Sequence, residues 1–347
     1  MVSGIGSITK QFTAAALLKL WDNELTAKKT GAQTKVWFPD GIESRLEGFM
    51  PELKKAYPVC SELFWRIEQD GHYRDITLRD LLNHTHGLGA RNDQQVMDLV
   101  VQSDGQPLAF SAIANTTEKR VGTKKQELQD EVYGKHQYGN FGYDLTGMVI
   151  EVVAKNSGLI APEVSMDGEV FDAALHVLVL DPNDLRSTYT QTDTRASYYT
   201  DPSRFAIGYF TERPEGIKRI ESCGRSMRGC QMALNLISNT RAAGGLKSTV
   251  GDLAKFAPQF MGAKMFENDE VKSAVHDRSK SVQTNRSNAE ETYHLGIIAN
   301  EDGTIGHSGS ELTYRSDLRF NPQNGKVRAE LKLKENLVDV LNLIPFA

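Results

Sequence analysis

Apolar and polar positions change rhythm along this chain. From Ser7 to about Leu25 the sequence Ser-Ile-Thr-Lys-Gln-Phe-Thr-Ala-Ala-Ala-Leu-Leu-Lys-Leu-Trp is rich in helix formers and predicts a helix with a wide apolar face, opening at Ser7. Helical patterns recur around 77–83 and 141–155, separated by polar connectors bearing Gly and Asp. The stretch 90–135 is polar and weakly periodic, so loops and short helices are expected there. At Ala242 the texture changes. Ala-Ala-Gly-Gly-Leu-Lys-Ser-Thr-Val-Gly-Asp-Leu-Ala-Lys-Phe reads as a tight glycine turn feeding an amphipathic helix capped by Ser248 or Thr249. Four short strands follow at His294–Ala299, Thr304–Gly309, Tyr314–Phe320 and Lys326–Leu333, separated by Asn-Glu-Asp-Gly, Ser-Glu and Asn-Pro-Gln-Asn-Gly turns. They predict an antiparallel meander, closed by a last helix near Asn336–Ile344. The chain shows no internal repeat and no low-complexity tract.

With 347 residues, 39% apolar and 24% charged, the chain has material for a large core in one composite domain or two. A net charge of −5 without a basic stripe argues against a nucleic-acid partner. No apolar run approaches the roughly 18 to 20 residues that cross a bilayer, and the N-terminus lacks the basic and apolar regions of a signal peptide. A soluble protein is expected, with its compartment left open. Cys60, Cys223 and Cys230 are too few for a disulfide framework and too scattered for a zinc site, although Cys223 and Cys230 are close enough in sequence to pair in an oxidising compartment.

Three short motifs carry candidate chemistry. A serine hydroxyl needs a neighbouring base to take its proton as it attacks a carbonyl. Ser7-Ile8-Thr9-Lys10, the single S-x-x-K of the chain, places an amine at i+3 on the same helical face. That amine serves as the base if desolvation and nearby cations keep it neutral. The N–H groups and dipole at the helix start favour negative charge developing at Ser7. Tyr138-Gly139-Asn140, the single Y-x-N, precedes an apolar helix. Its phenol is suited to relaying a proton to a leaving group, its amide to binding a substrate carbonyl and orienting the lysine; a capping turn with a packed tyrosine is the plainer alternative. His307-Ser308-Gly309 lies in Gly303-Thr-Ile-Gly-His-Ser-Gly-Ser310, whose glycines let a substrate lie against backbone, and the Ser310 N–H with that of Ser7 would make an oxyanion hole. His294-Leu295-Gly296 also fits H-x-G, and His294 is read as an ordinary strand histidine. His84-Thr85-His86 looks like a two-histidine metal clip, yet it sits in a helix-ending turn, so no metal is assigned.

The order and spacing of these motifs resemble the serine β-lactamase and penicillin-binding-protein-like family, which includes D-alanyl-D-alanine carboxypeptidases, D-amino-acid peptidases and related esterases. The likeness extends through Gly6-Ser-Ile-Thr-Lys-Gln-Phe-Thr-Ala, Ile76-Thr-Leu-Arg-Asp-Leu-Leu-Asn-His-Thr-His-Gly-Leu, Tyr138-Gly-Asn-Phe-Gly-Tyr-Asp-Leu-Thr-Gly, Ala206-Ile-Gly-Tyr and Ala242-Ala-Gly-Gly-Leu-Lys-Ser-Thr, and looks most like the class C branch over about residues 4–325. The resemblance implies Ser7 as acylated nucleophile, Lys10 as its base partner, Tyr138 as proton relay and Asn140 as a substrate contact. His307, Ser308, Gly309 and Ser310 would form the substrate-binding and oxyanion strand. His307 stands where many members carry the lysine of a Lys-Thr-Gly motif. A lysine there binds the carboxylate of β-lactams, whereas histidine is ordinarily mostly neutral at pH 7. The His-x-Gly version resembles certain D-peptidases and esterases more than efficient β-lactamases.

The resemblance further implies an α+β, β-lactamase/transpeptidase-like fold. Its sheet part would come from 1–20 and 241–347, a mainly helical part from 21–240, with the site in the cleft between. Members usually place a helix and at least two strands ahead of the nucleophile. Six residues precede Ser7 here, so one flank of the sheet is expected to be an unpaired edge, covered by another segment or by a second protomer in a homo-oligomer. The expected reaction is acyl-enzyme transfer on an amide or ester of a small-molecule or peptide substrate, with no metal or organic cofactor. A β-lactamase or penicillin binder is the alternative within enzymes, and a non-catalytic binding or scaffold protein the alternative outside them.

Overall fold

The computed structural model describes residues 1–32, 35–89, 95–96, 99, 108–116, 132–190, 192–193, 206, 241–284, 291–311, 314–333 and 340–344. Cys223, Cys230 and most of the expected 90–135 loop region lie outside them. A two-residue strand β1 (Ser3–Gly4) leads through a 3-10 turn (Gly6–Ile8) into α1 (Thr9–Lys29). Short helices α2 (Met50–Ala56), α3 (Ser61–Glu68), α4 (Leu78–Asn83) and α5 (Phe110–Ala114) follow, then the long α6 (Phe141–Asn156) and α7 (Glu169–Leu175). The single turn α8 (Arg241–Gly244), β2 (Lys247–Ser248), α9 (Val250–Phe260) and α10 (Asp269–His276) precede the strands. Of the two caps the sequence offered, Thr249 is the one used: its side chain accepts the Asp252 N–H at 3.2 Å.

Helix α1 is the spine. Where the sequence suggested one wide apolar face, every residue from Thr9 to Leu18 is buried. Polar side chains on the spine therefore need internal partners. Thr13 Oγ1 donates to the Ala242 carbonyl at 2.7 Å, and Thr9 Oγ1 accepts the Leu246 N–H at 3.1 Å, so α1 is bonded to the segment that leads into the sheet half. Helix α6 packs alongside and is buried from Phe141 to Ala154.

Seven strands form one antiparallel meander in chain order: β3 (Val282–Gln283), β4 (Thr292–His294), β5 (Ile297–Ala299), β6 (Ile305–Glu311), β7 (Tyr314–Phe320), β8 (Val327–Leu333) and β9 (Val340–Ile344). Two expectations need correction. The run 294–299 is not one strand. Leu295 and Gly296 take φ of 48° and 81°, which makes them the two-residue turn of a hairpin in which His294 pairs with Ile297. Nor does a helix close the chain over 340–344. Val340-Leu-Asn-Leu-Ile is short, with a β-branched residue at each end, and it lies along the free side of β8, pairing Leu331 with Val340 and Val327 with Ile344. Ladder hydrogen bonds to that side outweigh the propensity of so short a segment for helix.

Alternation divides the sheet into two faces. Tyr314, Ser316, Leu318 and Phe320 of β7 and Val327, Ala329 and Leu331 of β8 are buried on the side that carries α9. Arg315, Asp317 and Arg319 of β7 and Arg328, Glu330 and Lys332 of β8 occupy the other side. The fold is α+β.

Candidate active site

Ser7 lies in the 3-10 turn rather than in the helix proper, two residues before α1 begins. Gly6 makes this turn at φ 49°. A Cβ there would stand 2.9 Å from the Ser310 nitrogen, so only glycine lets the turn approach β6 so closely. The same holds from the other side: a Cβ on Gly309 would lie 2.0 Å from the Ile5 carbonyl oxygen. Ser316 Oγ donates to that carbonyl at 2.7 Å, and the Ile5 N–H donates to the Leu246 carbonyl at 3.1 Å. The turn is thus clamped between the β6–β7 pair and Leu246, just ahead of β2.

Lys10 follows three residues after Ser7 and is fully buried. Its Nζ lies 3.1 Å from Ser7 Oγ, 2.9 Å from Asn140 Oδ1 and 2.8 Å from the Ala243 carbonyl oxygen. As an ammonium it donates to all three oxygens. As a neutral amine it keeps two N–H donors and turns its lone pair to the Ser7 hydroxyl, which then donates its proton along the 3.1 Å line. All three oxygens are uncharged, and no carboxylate pairs with this amine among the described residues.

Tyr138 and Asn140 come from the loop before α6. Asn140 holds the lysine. Tyr138 presents its ring to the amine, with Nζ 5.0 Å from the ring centroid, and is 40% exposed, so it reaches solvent at the cavity mouth. His84 ends α4 in the left-handed conformation, φ 60°, and grips this loop twice: its carbonyl accepts the Gln137 N–H at 2.8 Å and its Nδ1 the Gly139 N–H at 3.4 Å. Burial, reinforced by Lys10 and the neighbouring histidines, holds the His84 imidazole well below its ordinary pKa, which keeps Nδ1 an acceptor. His86 accepts the Leu88 N–H on its own Nδ1 at 3.1 Å, and among the described residues no group of three or more candidate ligands gathers around this pair.

An open cavity of about 570 Å³ is lined by Ser7, Tyr138, Asn140, Ala243, Ser308, Gly309 and Ser310, and continues over Arg315, Ser316, Asp317, Glu330 and Lys332. Seven of the eight residues picked from the motifs therefore meet at or directly beneath one solvent-reachable place: Lys10 is the floor and six others are wall. His307 is the exception. Its ring is buried, with Nδ1 donating to the Ser308 carbonyl at 2.5 Å and Nε2 left to accept the Tyr293 hydroxyl at 3.0 Å. It packs against Tyr293, with its ring centroid 6.2 Å from that of Tyr138, and is not among the residues that line the cavity. The other H-x-G copy is structural, since His294 Nε2 bonds the Ala274 carbonyl at 2.8 Å.

Sequence reasoning missed two contributions. The Ala243 carbonyl had no signal, because any residue supplies a carbonyl. The charged wall from β7 and β8 had one: charges alternate in Arg315, Asp317, Arg319 and in Arg328, Glu330, Lys332, a period of two that marks a single polar sheet face.

The chain matches the family model described as Beta-lactamase over residues 1–332. No curated protein matches it. Among solved structures it is similar to a D-stereospecific amidohydrolase from Streptomyces sp., at 19% identity and TM-score 0.57, over 94% of this chain and 81% of that one. The octameric penicillin-binding protein homologue from Pyrococcus abyssi is similar at 19% identity and TM-score 0.60, over 96% of this chain and 62% of that one. The D-amino acid amidase from Ochrobactrum anthropi SV3, complexed with L-phenylalanine, is similar at 17% identity and TM-score 0.61, over 95% and 76%. At these identities the likeness concerns the fold.

Proposed function

The chain belongs to the beta-lactamase family, and on that premise we propose that it is a serine hydrolase working through an acyl-enzyme on an amide or ester. The observation that carries this reading is the 3.1 Å contact between the Ser7 hydroxyl and a buried lysine amine at the floor of an open cavity. Lys10 takes the Ser7 proton as Oγ attacks the carbonyl carbon. Charge that builds on the carbonyl oxygen would be met by the backbone N–H groups of Ser7 and Ser310, a reading supported by the close approach of the Gly6 turn to Ser310. Tyr138, at the solvent side of Lys10, passes a proton to the leaving group, and water releases the acyl group by the reverse route. Asn140 orients the lysine from the wall opposite β6.

An amide or ester of a D-peptide type, or a simple ester, suits this site better than a β-lactam. The position from which a lysine would offer a cation holds His307, whose ring is committed to Tyr293 and Ser308. A chromogenic cephalosporin and a short-chain p-nitrophenyl ester, compared as substrates, separate the two, with faster ester turnover expected.

The deciding experiment is covalent labelling with a fluorescent fluorophosphonate. The wild-type chain should take one label on Ser7 and Ser7→Ala none. A folded wild type that takes no label refutes the hydrolase reading and leaves a binding or scaffold protein on this fold.

A further inference from the structure

Tyr138 sits on a loop, and one residue outside that loop holds it at three points. The His84 carbonyl accepts the Gln137 N–H at 2.8 Å and its Nδ1 accepts the Gly139 N–H at 3.4 Å, so the residues before and after Tyr138 are both tied to it. The third point is the ring itself. Its centroid lies 4.5 Å from that of Tyr138, nearer than His307, Tyr293 and His136 at 6.2, 6.3 and 6.5 Å. His84 is buried and Tyr138 is 40% exposed, so the phenol has a packed neighbour on one side and solvent on another.

His84 is itself fixed by α4. Thr77 and Asp80 cap that helix reciprocally, and the Asp80 carbonyl accepts the N–H groups of both His84 and Thr85. Thr85 Oγ1 donates to Asp80 Oδ1 at 2.7 Å, and the Thr85 carbonyl takes the Gly134 N–H at 2.9 Å, which ties down the start of the same loop. The nucleophile and its amine are held by other means. Ser7 depends on the Gly6 turn, and Lys10 on Asn140 and the Ala243 carbonyl. Asn140 is anchored to α6, because its carbonyl accepts the Tyr143 and Asp144 N–H groups at 3.1 Å each.

We propose that His84 is the positioning residue of Tyr138 and, through it, governs delivery of a proton to the leaving group, not attack by Ser7. The inference rests on the acyl-transfer reading above. In an ester, the bond from the carbonyl carbon to Ser7 Oγ forms and the bond to the leaving oxygen breaks. The proton that Lys10 takes from Ser7 passes through the Tyr138 hydroxyl to that oxygen, so no further donor is consumed. A leaving group that departs as a stable anion does without this transfer, whereas an alkoxide depends on it. Loss of His84 is therefore felt in proportion to how poor the leaving group is.

The test measures kcat/KM on p-nitrophenyl, phenyl and trifluoroethyl acetate, which share an acyl group and differ in leaving ability. Wild type is compared with Tyr138→Phe, His84→Gly, His84→Asn and the double variant Tyr138→Phe/His84→Gly. Glycine keeps the left-handed turn, φ 60°, without a side chain; asparagine tolerates it and offers Oδ1 to Gly139 but no ring to Tyr138. In His84→Gly the preference for the p-nitrophenyl over the trifluoroethyl ester should rise about tenfold, in His84→Asn by less, and the double variant should be no worse than Tyr138→Phe alone. An unchanged preference, or losses that multiply in the double variant, in an enzyme whose Ser7 is labelled by fluorophosphonate, overturns this inference and leaves the hydrolase reading standing. Thermal melting is read on every sample, and if His84→Gly does not fold, the preference in His84→Asn decides on the same terms. If wild-type Ser7 takes no label, the hydrolase reading fails on its own, and the positioning is still decided by fluorine NMR of chains carrying meta-fluorotyrosine, with the Tyr138 signal assigned from Tyr138→Phe. A Tyr138 signal that moves in the His84 variants supports the inference, and one that stays in place overturns it.

Discussion

Replacing Lys10 by methionine keeps the length and most of the volume of the side chain while deleting Nζ. The structure sets two opposing stability terms. The buried Ala243 carbonyl loses a donor at 2.8 Å, and a buried acceptor left unmatched costs about 1–3 kcal/mol, whereas Asn140 Oδ1, which loses one at 2.9 Å, lines the open cavity and is within reach of water. Against this, a fully buried amine is no longer withheld from water, and that desolvation costs several kcal/mol when the group is charged. The two nearly offset, so Lys10→Met should remain folded, within about 2 kcal/mol of wild type. Activity should behave differently. A positioned general base contributes roughly 10²–10⁴-fold, or about 3–5 kcal/mol of barrier. The rate of fluorophosphonate labelling at Ser7 and kcat/KM on a p-nitrophenyl ester should fall by that range, with thermal melting read on the same samples. A folded Lys10→Met chain that labels within about threefold of wild type would show that Lys10 is not the base, because no other side chain in the described structure contacts Ser7 Oγ through an amine.

Three further outcomes follow from the geometry. Burial holds His86 and His294 down at about 4, against 6.5 for a free imidazole, so the unfolded chain binds more protons than the folded one between these values. Their stabilising contribution is present above pH 6.5 and drains away as pH falls towards 4, on the order of 3 kcal/mol for the fully buried His86; urea melts across this window should show it, and an unchanged midpoint would contradict the burial argument. Gly309→Ala puts a Cβ 2.0 Å from the Ile5 carbonyl and 2.3 Å from Ser316 Oγ, so it should displace the Ser7 turn from β6 and cut acylation at least tenfold through kcat, whereas wild-type kinetics would show that the two segments tolerate separation. Thr249→Ala removes the cap of α9 and should cost about 1 kcal/mol with Ser7 labelling unaffected; a shift in labelling would mean that this helix end is coupled to the site.

Much of the fold can be read from short-range pattern. The α1 and α6 segments, the Thr77–Asp80 capping box before α4, the Thr249 cap and the turns between β5 and β6 and between β7 and β8 follow from residue types within a few positions of one another, which is the range over which helix propensity, capping and turn chemistry act, whereas the Ser310-Glu311 pair expected to turn continues β6. The candidate nucleophile and its amine were legible for the same reason, since Ser7 and Lys10 are three residues apart. The other two errors mark where that range ends. Residues 340–344 are a strand because β8 offers an edge to pair with, and the alternation through His294–Ala299 conceals a turn at Leu295-Gly296.

What the chain determined alone was therefore an inventory: a serine with an amine on one turn, a tyrosine beside an amide, a glycine-rich strand, and the order of helices and strands. Tertiary structure decided which of these meet. Lys10 is bound by Asn140, 130 positions away, and by the Ala243 carbonyl, 233 positions away, while His307 is tied to Tyr293 and Arg315 lines the cavity. The reason is physical. Periodicity and caps report interactions along the backbone, whereas the Ser7–Lys10 site and the lining of its cavity depend on which distant surfaces are pressed together when the core is buried.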